Sequence, residues 1–466
     1  MWTVAVAVVL VLPQSAHASG EVVHPSRSAE VEALERIGGP LFPDGGPEPC
    51  RAAFTGRGAA VWTAPQIATA YGLDGLYRSH DLGAGVEVAI IAYGAVPTAA
   101  IRGFDRCYGI RPKYRVVNVI SGDTVEMAET PGSVVSGWGN QLEQVEMAVD
   151  VETISVLAPK ASIVIYDDPS GTQPVDSVIG AVVAAGTANV INDSYLGCES
   201  PAAVATETPI FRQAAAQGES VLAASGDSGA FSCSNASGSP NVDDPASNPL
   251  VTAVGGSVLT ASHPDAESAW NGSGGGVSSQ FAMPAFQSTA AGFLKVIGPE
   301  STGLPCGAGI GRFCRELPDV SAIAGASGGS RGGIEELLPG PGGGQQWGAA
   351  SGTSVAAPVW SAMVADLDSA PRCGDLGDLN PKLYAAASAK YHSDFHDIVG
   401  GSTRSDLRPS PDLGVTGRGP GQGSFGYTAA VGYDLATGLG SPRLFAPHGR
   451  GLAHALCPAS RFTPAG

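Results

Sequence analysis

The chain has 466 residues, 43% of them hydrophobic and 15% charged, so it is long and apolar enough to bury a large core and does not have the composition of a disordered chain. Its formal net charge of −18 and the lack of any Lys/Arg run argue against a nucleic-acid partner, which needs clustered cations to neutralise phosphate. The same balance suits an acidic medium, where protonated carboxylates relieve self-repulsion.

Residues 1–18 open with the apolar run Met1-Trp-Thr-Val-Ala-Val-Ala-Val-Val-Leu-Val-Leu and end on Ala16-His17-Ala18. The run is short for a bilayer span and the small-x-small triplet fits a cleavage site, so a signal peptide and a secreted, extracellular product are expected, although no Lys or Arg precedes the run. No later segment reads as a transmembrane helix. Residues 19–60 are polar and rich in Pro and Gly, with one short amphipathic stretch from Val31 to Ile37, and are expected to form an extension with no full prodomain.

From Trp62 the pattern changes. Val86–Ile91, Ala161–Tyr166, Ala188–Ile191 and Ser220–Ala224 read as buried strands, with helices between them at about 141–156, 175–185 and 208–217. Alternating strands and helices predict an α/β fold, a mostly parallel central sheet with helices on both faces, and a ligand site at the carboxyl ends of the strands. One domain over residues 61–457 with a tail at 458–466 is expected. Residues 261–346 are expected to be dominated by Gly-rich loops of the kind that contact substrate.

The eight cysteines, at 50, 107, 198, 233, 306, 314, 373 and 457, show no CxxC spacing. In an exported chain such a set favours disulfides over zinc. Proximity in sequence suggests Cys306 with Cys314 and Cys198 with Cys233, and leaves the other four open.

Three segments carry chemistry. Ser351-Gly-Thr-Ser354-Val-Ala-Ala-Pro358 leads into an apolar stretch of helical length. A serine there faces the helix's terminal amides, which favour developing negative charge; as an isolated residue it would read as an N-cap. Pro358 is expected within the first turn, where its missing N–H costs nothing. In Glu143-Gln-Val-Glu146-Met-Ala-Val-Asp150-Val-Glu152 the four-residue spacing of Glu146 and Asp150 puts both carboxylates on one helix face. The plain alternative is a solvated acidic face. Ala223-Ala-Ser-Gly-Asp227-Ser-Gly-Ala230 follows a predicted strand, and an Asp-Ser-Gly turn is its ordinary reading.

The Ser-Gly-Thr-Ser-x-x-x-Pro string resembles the nucleophile segment of two related peptidase families, the subtilisins and the sedolisins. A subtilisin would need a His-Gly-Thr-His segment, and none of the eight histidines lies in one. The Glu146/Asp150 segment, closing on Leu157-Ala-Pro159, resembles the sedolisin pattern. So do Asp244–Gly256, Trp270–Ser278 and Arg315–Ala322, in the family's order, over about residues 62–445.

The resemblance implies a subtilisin-like fold and a serine-carboxyl endopeptidase. Its catalytic residues would be Ser354 as nucleophile, Glu146 and Asp150 as base pair, and Asp227 as a donor to the oxyanion when protonated. Endopeptidase is preferred to tripeptidyl-peptidase action by family frequency. Further matches at His396–Val399 and Gly426–Pro442 imply one structural Ca2+, held by the carboxylates of Asp397 and Asp434 and the carbonyls of Ile398, Ala430 and Gly432.

Protein or peptide substrates and a monomeric, membrane-free mature form are expected. Some family members carry a further Glu and a Trp in the carboxylate network; Ala92 and Tyr195 stand in those places. Two rival functions remain, a subtilisin-like enzyme with an unrecognised histidine and a pseudo-peptidase that binds peptides without cleaving them.

Overall fold

Strand β1 (Glu87–Tyr93) sends Val88, Ile90 and Ala92 into one hydrophobic core and Ala89, Ile91 and Tyr93 into another. This is the period-two alternation of a strand covered on both faces. In the computed structural model the described residues are 47–50, 53, 61–120, 123–127, 138–231, 240–260, 267–325, 333–340, 344–371, 373–403, 426–446 and 450–457. The expected signal peptide, the stretch at 31–37, Cys233 and the tail at 458–466 lie outside them.

Further strands are β2 (Lys113–Ile120), β3 (Asp123–Met127), β4 (Ser162–Asp168), β5 (Val190–Asp193), β6 (Ser220–Ala224), β7 (Thr252–Leu259), β8 (Glu267–Ala269), β9 (Gly276–Ala282), β10 (Cys314–Leu317) and β11 (Val320–Ile323). Two more, β12 (Ile334–Pro339) and β13 (Gln345–Ala350), pair as an antiparallel hairpin. The central sheet runs β8-β7-β6-β5-β1-β4-β2-β3, with β11 also paired to β7. Only β3 and β8 are antiparallel to their neighbours; the other pairings are parallel.

The helices are α1 (Ala64–Tyr71), α2 (Asp74–Arg78), α3 (Thr98–Tyr108), α4 (Trp138–Leu157), α5 (Val175–Ala185), α6 (Pro201–Gln217), α7 (Thr353–Ser369) and α8 (Asn380–Asp394). α4 and α7 pack on each other over one face of the sheet, and α5 and α6 cover the opposite face. The architecture is therefore the one α/β domain, parallel at its centre and covered on both sides, that alternating strands and helices predict.

Within residues 261–346 the described part holds β8 to β12 as short runs joined by longer loop segments. One local expectation is corrected. Helix α6 begins at Pro201, seven residues before the expected 208. Pro209 inside the helix reads in sequence as a breaker. The true start is the cap at Ser200, whose hydroxyl accepts from the Ala203 amide at 3.1 Å.

Cys306–Cys314 is bonded as expected, and Cys50–Cys107 and Cys373–Cys457 join the four cysteines that sequence left open. Cys198 is also disulfide-bonded, while its expected partner Cys233 is not described. Inside the fold, fully buried Arg315 forks onto Asp319 at 3.0 and 2.6 Å. Its remaining donors go to the carbonyls of Ser247, Ala246 and Val251. A buried ion pair is tolerated when every donor is satisfied in this way, and this one ties the Asp244–Gly256 and Arg315–Ala322 segments together.

Candidate active site

Ser354 is the second residue of α7, a helix buried along almost its whole length. The turn that delivers it needs a glycine, since Gly352 has φ of +145°. Thr353 fixes the turn from the other side: its amide and hydroxyl donate to Oδ1 of Asp227 at 2.7 and 2.8 Å, and its hydroxyl accepts from the Gly226 amide at 3.0 Å. Ser354 is buried, 4% exposed, and its hydroxyl has no hydrogen-bond partner.

Pro358 lies beyond the first turn, since the helix starts at Thr353. Its missing N–H therefore leaves the carbonyl of Ser354, four residues back, without its helical partner. The Ser194 hydroxyl lies 3.5 Å from that carbonyl.

Glu146 and Asp150 project from α4, which packs against α7. Both are wholly buried, as is Glu152, so this face of the helix is not the solvated acidic face that its composition allows. Oδ1 of Asp150 accepts a 2.7 Å bond from Ser194. Ser194 follows β5, and Asn192 within that strand offers Nδ2 to the Ser194 oxygen at 3.5 Å while its Oδ1 accepts from Ser361 of α7 at 2.9 Å. Both oxygens of Glu146 and Oδ2 of Asp150 are partnerless. Buried polar atoms are rarely left this way, and here they converge on one place.

Burial pushes the Glu146 carboxyl well above the usual carboxylate range, and the charges of Asp150 and then Asp227 push it further; the Ser354 hydroxyl pulls it back. Asp150 is also raised by burial, against hydrogen bonds from Ser194 and Asn192 that favour its ionised form. Glu146 is thus surrounded by the three other residues that the sequence singles out. Among the described residues, no histidine figures in the charges or hydrogen bonds acting on either carboxylate.

Sequence reasoning passed over Ser194 and Asn192. Their signal is a polar run, Asn192-Asp193-Ser194, where an apolar strand ends. Ala92 is fully buried in β1, and Tyr195 is buried with its ring edge-on to Tyr93 at 4.7 Å.

The two halves of the candidate calcium site come together away from these carboxylates. Oδ1 of Asp397 accepts from the Gly432 amide at 3.1 Å and from the Tyr391 hydroxyl at 3.2 Å, and Tyr391 also reaches the Gly432 carbonyl at 3.2 Å. Asp434 accepts the amides of Ala430, Ala436 and Thr437. Burial pushes its carboxyl up to about 7, against those amides. A hard, all-oxygen set with a buried carboxylate fits a calcium ion, which would restore the charge that burial opposes. Among the described residues, no group of three or more Asp, Glu, His or Cys side chains could hold an ion, so the backbone carbonyls of Ile398, Ala430 and Gly432 would have to complete the shell.

No family model matches the chain. Kumamolisin of Bacillus sp. (strain MN-32) is 32% identical over 311 residues, 64% of this chain and 49% of that protein. Sedolisin of Pseudomonas sp. (strain 101) is 32% identical over 294 residues, 58% of this chain and 42% of that protein. The chain thus spans half or less of the length of these curated relatives. The solved structure of Pseudomonas sedolisin, a serine-carboxyl proteinase complexed with two molecules of pseudo-iodotyrostatin, matches at 26% identity with a TM-score of 0.62, covering 83% of this chain and 96% of that one.

Proposed function

The chain belongs to the sedolisin family, and from that premise we propose that it is a secreted serine-carboxyl endopeptidase that acts in acid. The observation that carries the reading is the convergence of Glu146, Asp150, Asp227 and Ser354, all buried, with the oxygens of Glu146, Oδ2 of Asp150 and the Ser354 hydroxyl partnerless and, among the described residues, no histidine acting on the two carboxylates.

In the first step the Ser354 oxygen attacks a peptide carbonyl while Glu146 takes its proton. Asp150, whose ionised form the Ser194 hydrogen bond favours, lies close enough for its charge to act on Glu146 and shares the proton load, so the two titrate as a pair. Oδ1 of Asp227 accepts from Thr353, and on this reading the donated proton sits on Oδ2. A neutral Asp227 then hydrogen-bonds the oxyanion, and an ionised one cannot. Glu146 returns its proton to the leaving amine, and water attacks the acyl-enzyme by the reverse sequence.

The reading extends to a peptidase domain over residues 61–457, one structural Ca2+ held by Asp397, Ile398, Ala430, Gly432 and Asp434, and a monomer acting on proteins or peptides outside the cell. No helix among the described residues is long and apolar enough to cross a membrane.

The test is cleavage of an unfolded protein between pH 2 and pH 8. Activity with a maximum near pH 4 that disappears in Ser354→Ala supports the proposal. A maximum near pH 8 points to a histidine base, and no turnover at any pH leaves a peptide-binding pseudo-peptidase.

A further inference from the structure

One turn before Glu146 on α4 lies Glu143, beside a group of polar side chains that the proposed chemistry does not use. Tyr93 ends β1, Asp168 ends β4, Asp193 ends β5 with Tyr195 two residues on, and Asp176 is in the first turn of α5. They gather at the carboxyl ends of parallel strands, where sheets of this class take their ligands.

Tyr93 and Tyr195 are only 5% and 1% exposed. Neither hydroxyl has a hydrogen-bond partner, and the same is true of Oε2 of Glu143, Oδ1 of Asp176 and Oδ2 of Asp193. Burial raises the Tyr93 hydroxyl's pKa, and the charges of Asp193, Asp168, Glu143 and Asp176 raise it further, in that order. Burial comes first for Tyr195 too, followed by Glu143, Glu146 and Asp150. The charges that act most strongly on both tyrosines are all negative. Burial raises Glu143 to about 7, although the Tyr195 hydroxyl is near enough to pull it back.

Asp168 differs. Burial would raise it, but donors from Ser170, Gln173 and Thr172 overcome burial and hold its carboxyl below the usual range. It therefore carries its charge even in acid.

Buried acceptors and hydroxyls around a fixed negative charge are costly unless something supplies donors and positive charge together. An ammonium or guanidinium supplies both, with three or five N–H donors. A divalent ion suits the place less well, because no carboxylate grouping with metal-holding geometry occurs among the described residues.

We propose that Tyr93, Glu143, Asp176 and Tyr195 form a subsite for a cationic side chain, lysine or arginine, of a peptide bound close to its scissile bond. The subsite rests on the peptidase reading only for its position relative to that bond. Glu143 is three residues from Glu146, about 4.5 Å of helix rise, so the cation would lie a residue or two from the reacting carbonyl. Because Glu143 and Asp193, each raised by burial to about 7, lose their protons mainly between about pH 6 and pH 8, while Asp168 is already ionised, preference for a cation should strengthen with pH over that interval. Asp176 faces the same hydroxyl and adds to the field.

The experiment uses the full chain with Ser354→Ala and a set of fluorescent octapeptides in which Lys, Arg, norleucine or Glu occupies each position in turn. Binding is read by anisotropy at pH 5, 6, 7 and 8. At one register the Lys and Arg peptides should bind at least about tenfold more tightly than the norleucine peptide, and the ratio should grow with pH. Added Glu143→Gln should bring the ratio close to unity. Tyr93→Phe, which removes a single hydroxyl, should reduce it in a protein whose charge is unchanged.

Equal binding of Lys and norleucine at every register overturns the subsite, as does a Lys preference that survives both substitutions. The same peptides are then offered to the unaltered protein. Selective binding without turnover leaves the subsite standing and removes the peptidase; turnover without selectivity removes the subsite alone.

Discussion

The Ser194 hydroxyl donates to Oδ1 of Asp150 at 2.7 Å, with both side chains buried. Its second acceptor, the Ser354 carbonyl at 3.5 Å, is too distant to compete for the one proton. The bond favours the ionised form of Asp150, so removing it should raise the apparent pKa of the Glu146/Asp150 pair. Ser194→Ala is expected to move the acid limb of the kcat/KM profile to higher pH and to lower kcat by about 10- to 100-fold, the worth of a hydrogen bond to a buried charge. Ser194→Thr, which keeps the hydroxyl, should restore the limb. A profile of unchanged shape in Ser194→Ala would show that the serine only fills space.

Stability should fall as pH rises. Burial raises Glu152 to about 8, Asp167 to about 8, Asp368 to about 8 and Asp193 to about 7. Unfolded carboxyls titrate near 4. Between that value and the folded pKa the native state binds more protons than the unfolded chain, so the slope of stability with pH is negative. Stability is fully present below about pH 4 and is lost towards pH 8, and a Tm lower by at least about 5 °C at pH 8 than at pH 4 is expected.

Part of that slope has an address. Glu152 accepts the Leu337 amide at 2.8 Å, and its neighbour Glu336 accepts from Thr153 at 2.9 Å. Burial raises both, and the charge of Glu152 adds to the effect on Glu336. Glu152→Gln keeps an acceptor for Leu337 and supplies a permanent donor towards Glu336. Differential scanning calorimetry should find the variant more stable than the parent at pH 7 and no more stable at pH 4. Equal destabilisation at both values would count against a shared proton.

The sheet's centre was legible because β1, β4, β5 and β6 are apolar runs buried on both faces. The strands β2 and β3 were not, since β2 is only half-buried along much of its length and lacks that signature. Ser354, Glu146, Asp150 and Asp227 could be named from motifs, but not the burial that makes two of them a coupled pair. Ser194, Tyr93 and Glu143 matter through partners distant in sequence, and a single chain carries no sign of those contacts. Pro358 was misread for a simpler reason: its meaning depends on the residue at which the helix begins.

Asp227→Asn tests the oxyanion role. Asparagine can keep an oxygen facing Thr353 and put an amide donor in the place of Oδ2, one that does not ionise. If loss of the Asp227 proton limits activity above the optimum, the variant's kcat/KM should decline less steeply than the parent's between pH 5 and pH 7. A parallel decline in both proteins would assign the alkaline limb to another group, such as the unfolding set by the buried carboxylates.

Calcium removal separates the last pair of aspartates from ordinary loop residues. Asp434 is buried and raised to about 7, so without a cation its charged form is disfavoured and the loop from Ala430 to Thr437 loses a charged anchor near neutral pH. A bound ion stabilises the native state by mass action, about 2.7 kcal/mol at one hundred times its Kd. EDTA should therefore lower the Tm at pH 6, added Ca2+ should restore it, and Asp434→Asn should abolish the response. The effect should shrink at pH 3, where protons compete with the ion for the carboxylates. A Tm indifferent to EDTA at pH 6 would leave Asp397 and Asp434 as hydrogen-bonding residues that tie the 430–437 loop to the segment after α8.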